Sequence, residues 1–149
     1  MKNILIKASG DVLNNEKFIE FVKDKAKENN VVVICGGGTQ ISSALVKAGY
    51  EIKYCEYGRV TKDKEEKEIV KNVLKKEKNN LQKKLENKNI KLVIPVLMAG
   101  NVECFINADN LVKAYYLGFD QIYIFTLNDR IKNKKEAFAS YKKVRIIGI

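Results

Sequence analysis

Histidine is absent from the 149 residues. This absence removes Ser/His/Asp and Cys/His nucleophilic catalysis, imidazole-ligated metal sites and imidazole acid–base chemistry. Cysteine is scarce: Cys35, Cys55 and Cys104 are an odd number and form no Cys-x-x-Cys. The spacing argues against a disulfide framework or a zinc cluster, and a reducing cytoplasm is the expected setting. Proline occurs once and glycine nine times, which rules out collagen-like or low-complexity chains. No apolar run approaches the roughly 18 residues of a membrane span, so no membrane partner is expected. Met1-Lys2-Asn3-Ile4-Leu5-Ile6-Lys7 has a charge directly after a short apolar run and reads as a strand rather than a secretion signal.

What is abundant is lysine. Basic residues number 28 against 18 acidic ones, a formal charge of +10, with a pI near 9.4. Arginine appears only at Arg59, Arg130 and Arg145. Lysine is a point charge without the planar fork favoured in base and phosphate recognition. Acidic residues are interleaved with it throughout. A solvated lysine surface is therefore the preferred reading over a nucleic-acid partner.

Short apolar runs alternate with helical periodicity. Ile4-Leu5-Ile6, Val31 to Ile34, Lys91 to Leu97, Gln121 to Thr126 and Val144 to Gly148 read as strands. Helices are expected from about Asn14 to Asn29, Thr39 to Lys47, after Thr61, from Asn107 to Gly118, and from Lys134 to Tyr141. The Asn79-Asn80 pair reads as an interruption of the long lysine-rich central helix. The order β-α-β-α-(loop)-α-β-α-β-α-β predicts a single α/β domain over 1–149, a three-layer α/β/α sandwich with an open, mostly parallel sheet. Ligands in such sheets bind beyond the carboxyl ends of the strands.

The chemistry-bearing motifs sit at such ends. In Ile34-Cys35-Gly36-Gly37-Gly38-Thr39-Gln40 a buried strand runs into three glycines and a helix start. Backbone amides there can cradle an anion, helped by the helix dipole. The segment is neither a Walker loop nor Gly-x-Gly-x-x-Gly. Ile6-Lys7-Ala8-Ser9-Gly10 places a lysine and a glycine at the end of the first strand. Lys7 either aims at the anion held by Gly36, Gly37 and Gly38 or snorkels to water. Asp109, in Asn107-Ala108-Asp109, either caps a helix or orients Lys7. Arg59, in Gly58-Arg59-Val60-Thr61, suits bidentate carboxylate binding, against an ordinary surface arginine. Cys35 reads as a reactive thiol at a helix N-terminus or, preferably, as a small buried residue.

In this order, Lys7-Ala8-Ser9-Gly10, Gly36-Gly37-Gly38-Thr39-Gln40, Gly58-Arg59-Val60-Thr61, Ile94-Pro95-Val96 and Phe105 to Asp109 resemble the amino acid kinase family. Acetylglutamate kinases are the nearest match, with a first motif closer to bacterial uridylate kinases. The resemblance implies that Lys7 stabilises the transferring phosphoryl group and that Asp109 positions that lysine. It implies that Gly10, Gly37 and Gly38 offer amides to phosphate oxygens, and that Arg59 and Asn107 hold the acceptor's carboxylate. ATP with Mg²⁺ is the expected donor, and a small carboxylate or phosphate compound the acceptor. The alternative is a non-catalytic anion- or metabolite-binding protein on the same fold. The resemblance spans about residues 2 to 129 and matches the substrate half of the family. The hairpin that covers the acceptor is largely missing between Leu85 and Lys91. The family's second half supplies a further lysine; Lys132, Lys134 and Lys135 are the tail candidates for it. A dimer or a partner chain is expected on the same grounds.

Overall fold

The computed structural model describes residues 1–149. Five strands, β1 (Asn3–Ala8), β2 (Asn30–Cys35), β5 (Ile90–Val93), β8 (Gln121–Thr126) and β9 (Val144–Gly148), form one sheet in the order β5-β2-β1-β8-β9. Every pairing in it is parallel. Strands that are apolar on both faces need helices on both faces, and the chain provides them in three-layer α/β/α form.

Alternation along each strand divides the core. Ile4, Ile6, Val31, Val33, Tyr123 and Phe125 pack on one face with Phe18 and Val22 of α1 (Glu16–Lys25) and with Leu81 and Leu85. Leu5, Ile34, Ile122 and Ile124 pack on the other with Leu111 and Val112 of α4 (Ala108–Tyr115) and with Phe138, which follows α5 (Ile131–Ala137). A third cluster joins α2 (Gly38–Lys47) to α3 (Lys64–Gln82) through Ile41, Leu45, Val70 and Leu74.

The topology fixes where a ligand can enter. From β1 the chain crosses to β2 on one side; from β8 it crosses to β9 on the other. Right-handed crossovers in opposite directions put α1 and α5 on opposite faces of the sheet. A crevice therefore opens beyond the carboxyl ends of β1 and β8, where the direction switches.

Several elements differ from the sequence expectation. α3 runs unbroken through Asn79 and Asn80, because both are exposed and Leu81 continues the buried stripe. Its start is Asp63 rather than Thr61, in a capping box with Glu66. Pro95 divides the expected strand from Lys91 to Leu97: β5 ends at Val93, and β6 (Val96–Ala99) folds back on β7 (Val102–Phe105) as an antiparallel hairpin. β3 (Lys53–Cys55) and β4 (Gly58–Val60) make a second hairpin. The last helix begins at Ile131, three residues before the predicted Lys134. No helix is long and apolar enough to cross a membrane.

Candidate functional site

Lys7 is the next-to-last residue of β1, and alternation points it to the same face as Leu5, towards α4 and α5. It is only 4% exposed, so it does not snorkel. Its Nζ stands 3.2 Å from Oδ1 of Asp109. Asp109 sits in the first turn of α4, where the helix dipole favours a carboxylate. It is not the cap: Asn107 Oδ1 accepts from the Asp109 amide at 2.8 Å and fills that role. The other oxygen of Asp109 accepts from Lys134 on α5. One carboxylate on α4 therefore bridges a lysine of β1 and a lysine of α5.

The electrostatics follow from burial. Desolvation pushes the Lys7 ammonium below its ordinary pKa; Asp109 opposes this, while Lys134 and Arg130 add to it. Burial alone would raise the Asp109 carboxyl, but Lys7 and Lys134 together hold it below the ordinary carboxylate value. Two cations on one half-buried anion leave the cluster with surplus positive charge, facing a cavity of about 970 Å³.

The glycine segment forms the adjoining wall. α1, α3 and α4 each have a side-chain N-cap, whereas α2, like the short α5, has none. The first amides of α2, starting at Gly38, have no intrahelical acceptor. Gly37, which precedes α2, donates to no backbone carbonyl either. Gly10 opens a 3₁₀ turn and leaves its own amide in the same position. Gly36 departs from expectation. Its amide donates to the Ala8 carbonyl at 2.8 Å, so it cannot serve an anion. Its function is close approach: a Cβ there would lie 2.7 Å from that carbonyl oxygen, and one on Gly10 would lie 2.9 Å from the Gly37 Cα. The two strand ends can touch only because both residues are glycine. Cys35, beneath this wall, is fully buried and its thiol is pushed up to about 12 by burial, which fits a packing residue.

The hairpins close the far side. Arg59 on β4 stacks 5.2 Å above the Tyr54 ring and donates to Ser42 Oγ at 3.0 Å and to the Gly38 carbonyl at 2.9 Å. Part of its fork is thus spent in joining the hairpin to α2 rather than left for a carboxylate. Arg59 and Asn107 both line the cavity with Lys7, Gly10 and the three glycines. Asp109 borders them through Lys7 and Lys134.

Two residues were not singled out from the sequence as site residues. Lys134 is one of three tail lysines, and α5 begins early enough to bring it against Asp109. Thr126 reads from the sequence only as the end of a strand. It is fully buried at the carboxyl end of β8, and its hydroxyl has no partner, as is true of the Ser9 hydroxyl across the crevice. A buried polar group without a partner needs a reason, and a polar residue closing an otherwise apolar strand was the available signal.

No family model matches the chain, and no curated protein matches it. The fold itself recurs among solved structures. The crystal structure of smu.665 from Streptococcus mutans UA159 superposes with a TM-score of 0.65 at 17% identity, over 92% of this chain and 83% of that one. N-acetylglutamate synthase from Neisseria gonorrhoeae, complexed with coenzyme A and L-arginine, gives a TM-score of 0.55 at 12% identity, over 86% of this chain. The match covers only 44% of the synthase. These comparisons establish a shared α/β/α fold with a mostly parallel central sheet, built here with its polar cluster at the switch point of the strand order.

Proposed function

We propose that this protein is an amino acid kinase-like phosphotransferase, moving the γ-phosphoryl group of ATP to a small carboxylate or phosphate acceptor. The observation that carries the reading is the Lys7–Asp109–Lys134 cluster, with Lys7 buried and the other two half-buried, set beside the unpaired amides of Gly37, Gly38 and Gly10 in one cavity. In such a transfer an acceptor oxygen attacks the γ-phosphorus, the bond to the bridging oxygen breaks and ADP leaves with that electron pair. Charge spreads over the phosphoryl oxygens, and fixed cations and amides are what the step requires. Lys7 and Lys134 would flank the transferring group, and Asp109 would hold both without itself moving a proton. No general base is needed, in keeping with a chain without histidine. Arg59 and the free Nδ2 of Asn107 would face the acceptor. No group of three or more carboxylate, cysteine or histidine side chains is placed to hold a metal, so Mg²⁺ in this reading enters on the phosphates of ATP.

A reducing cytoplasm suits the three free thiols. The exposed edges of the sheet, β5 and β9, suit a dimer or a partner chain, which light scattering at high protein concentration would register. The test of function is thermal unfolding with increasing Mg-ATP, beside ADP, pyrophosphate and phosphate, for wild type and Lys7→Ala. Ligand at about 100 times its Kd adds roughly 2.7 kcal/mol. A shift with Mg-ATP that Lys7→Ala abolishes, followed by ADP release with a panel of carboxylate and phosphate acceptors, supports the kinase. A shift without turnover on any acceptor turns the reading to the non-catalytic anion-binding alternative. No shift with any of the four compounds overturns both.

A further inference from the structure

Arg130, a charged group on the cavity rim, makes no hydrogen bond or ion pair with the cluster just described. Arg130 lines the cavity and donates from its NH1 nitrogen to Asp11 Oδ2 at 3.0 Å. That is its only side-chain hydrogen bond within the chain, so most of the five guanidinium N–H donors are unspent. Arg130 immediately precedes α5, four positions before Lys134. Residues four apart share a helix face, so the geometry that turns Lys134 inward brings Arg130 to the same opening. The turn is braced from below. A Cβ on Gly148 of β9 would lie 2.3 Å from both Asn128 Oδ1 and Ile131 Cδ1, so the end of β9 presses directly against the start of α5.

Asp11 faces Arg130 from the other side. It also accepts from Thr39 Oγ1 at 2.9 Å and Gln40 Nε2 at 3.4 Å, both in the first turn of α2. It thereby ties the start of α2, with its uncapped amides, to the start of α5. A carboxylate beside an anion cradle is unfavourable unless it serves a cation. The Asp11–Arg130 pair is half open to solvent, with side chains 20% and 43% exposed, and pairs of that kind contribute little to stability. Its loss should therefore cost the fold little.

We propose that Arg130 is the third phosphate-binding cation of this site, and that Asp11 is its positioning residue. The proposal rests on the phosphate reading of the cavity. Lys7 and Lys134 act from beneath as point charges, whereas the Arg130 fork approaches from the rim and can hold two phosphoryl oxygens at once.

The test is calorimetric titration of the full chain with inorganic pyrophosphate, in wild type, Arg130→Gln, Arg130→Lys, Asp11→Asn, the Asp11→Asn/Arg130→Gln double variant and Lys7→Ala. Unfolding midpoints without ligand should match wild type for all rim variants, so lost binding is not lost folding. Arg130→Gln should weaken binding by about tenfold, the scale of a charged hydrogen bond, and Arg130→Lys should restore only part of it. Asp11→Asn should weaken binding less, and the double variant should bind like Arg130→Gln alone, because Asp11 acts through the arginine. Equal affinity in wild type and Arg130→Gln, with loss in Lys7→Ala, overturns this inference and leaves the phosphate site standing. Tighter binding in Asp11→Asn, or additive losses in the double variant, overturns the positioning role. A wild type that ignores pyrophosphate overturns the inference together with the reading beneath it.

Discussion

The cavity has two unlike walls. One is made from the ends of β1, β2 and β8, with Lys7, Gly36, Gly37 and Thr126 all buried. Backbone on both sides holds these groups, through parallel ladders that run to Ala8, Cys35 and Thr126. The other is made from two hairpins that belong to no larger sheet. Their large side chains lie open: Tyr54 is 65% exposed and Tyr57 73%. A few side-chain contacts fasten them, chiefly Arg59 to α2, Asn110 to the Tyr57 carbonyl, and Lys71 to Glu103 at 2.8 Å. The sheet wall fixes what chemistry is available, whereas the hairpin wall decides what may lie against it and can change without disturbing the fold.

That contrast can be broken at graded positions. The largest effect on stability is expected from Asp109→Ala, which leaves Lys7 buried without its counter-charge. Removing one partner of a buried pair costs about 3 kcal/mol or more, measurable by urea unfolding near neutral pH. The same carboxyl makes the wild type acid-sensitive. Its folded pKa is depressed, so the stability it contributes is complete above the unfolded value near pH 4 and is lost as pH falls through the lower folded value. In Asp109→Asn that acid-dependent part of the unfolding free energy should be missing.

Gly36→Ala comes next. Its Cβ would meet a backbone carbonyl that cannot swing aside, and overpacking of this kind costs about 2 kcal/mol. Arg59→Ala should cost about 1 kcal/mol for its two hydrogen bonds. The damage should be confined to the hairpin wall and visible as faster amide exchange in residues 53–60 with β1 and β8 unchanged. Lys7→Met sharpens the comparison from the opposite side. It removes a desolvated ammonium while Lys134 still serves Asp109, so the unfolding midpoint should hold or rise although pyrophosphate binding disappears. Lys71→Ala is the smallest step: an exposed pair at the hairpin should be lost with no resolvable change in midpoint. A large loss there would mean that the hairpin wall is as deeply built in as the sheet wall.

The two walls also differ in how legible they were. The sheet wall was readable because each of its signals is local. Apolar runs end in Lys7-Ala8-Ser9-Gly10 and in Cys35-Gly36-Gly37-Gly38, and strand ends in parallel sheets are where ligands bind. The hairpin wall is legible only in pieces. Glu51 to Tyr57 and Val102 to Ile106 read as short extended segments, as the structure has them, but they are short, mixed in character and mostly exposed, so nothing local shows which strand each pairs with. Lys91 to Leu97 reads as one strand, although Pro95 separates a sheet strand from a hairpin strand. Gly36 shows another limit. Its place in the glycine run suggests an amide for an anion, but whether that amide is free depends on the neighbouring strand, and here it is spent on the Ala8 carbonyl. Lys134 is named among three tail lysines, but a helix start placed at Lys134 rather than Ile131 gives no ground for choosing among them.

The strand order also has a consequence in time. β1 meets β2 after a short stretch of chain, as in the Asn30–Asn3 contact at a separation of 27, and β9 returns to β8 through α5. β1 and β8 meet only when the chain closes across a separation of 117, at Asn3 and Asp120. Contacts so distant in sequence are slow to form. Lys7 belongs to the first unit, while Asp109 and Lys134 lie towards the other end of the chain, so their cluster cannot exist until that closure is complete. Anion binding followed during refolding should therefore appear no earlier than β1–β8 pairing, and it would time the joining of two locally formed halves into one molecule.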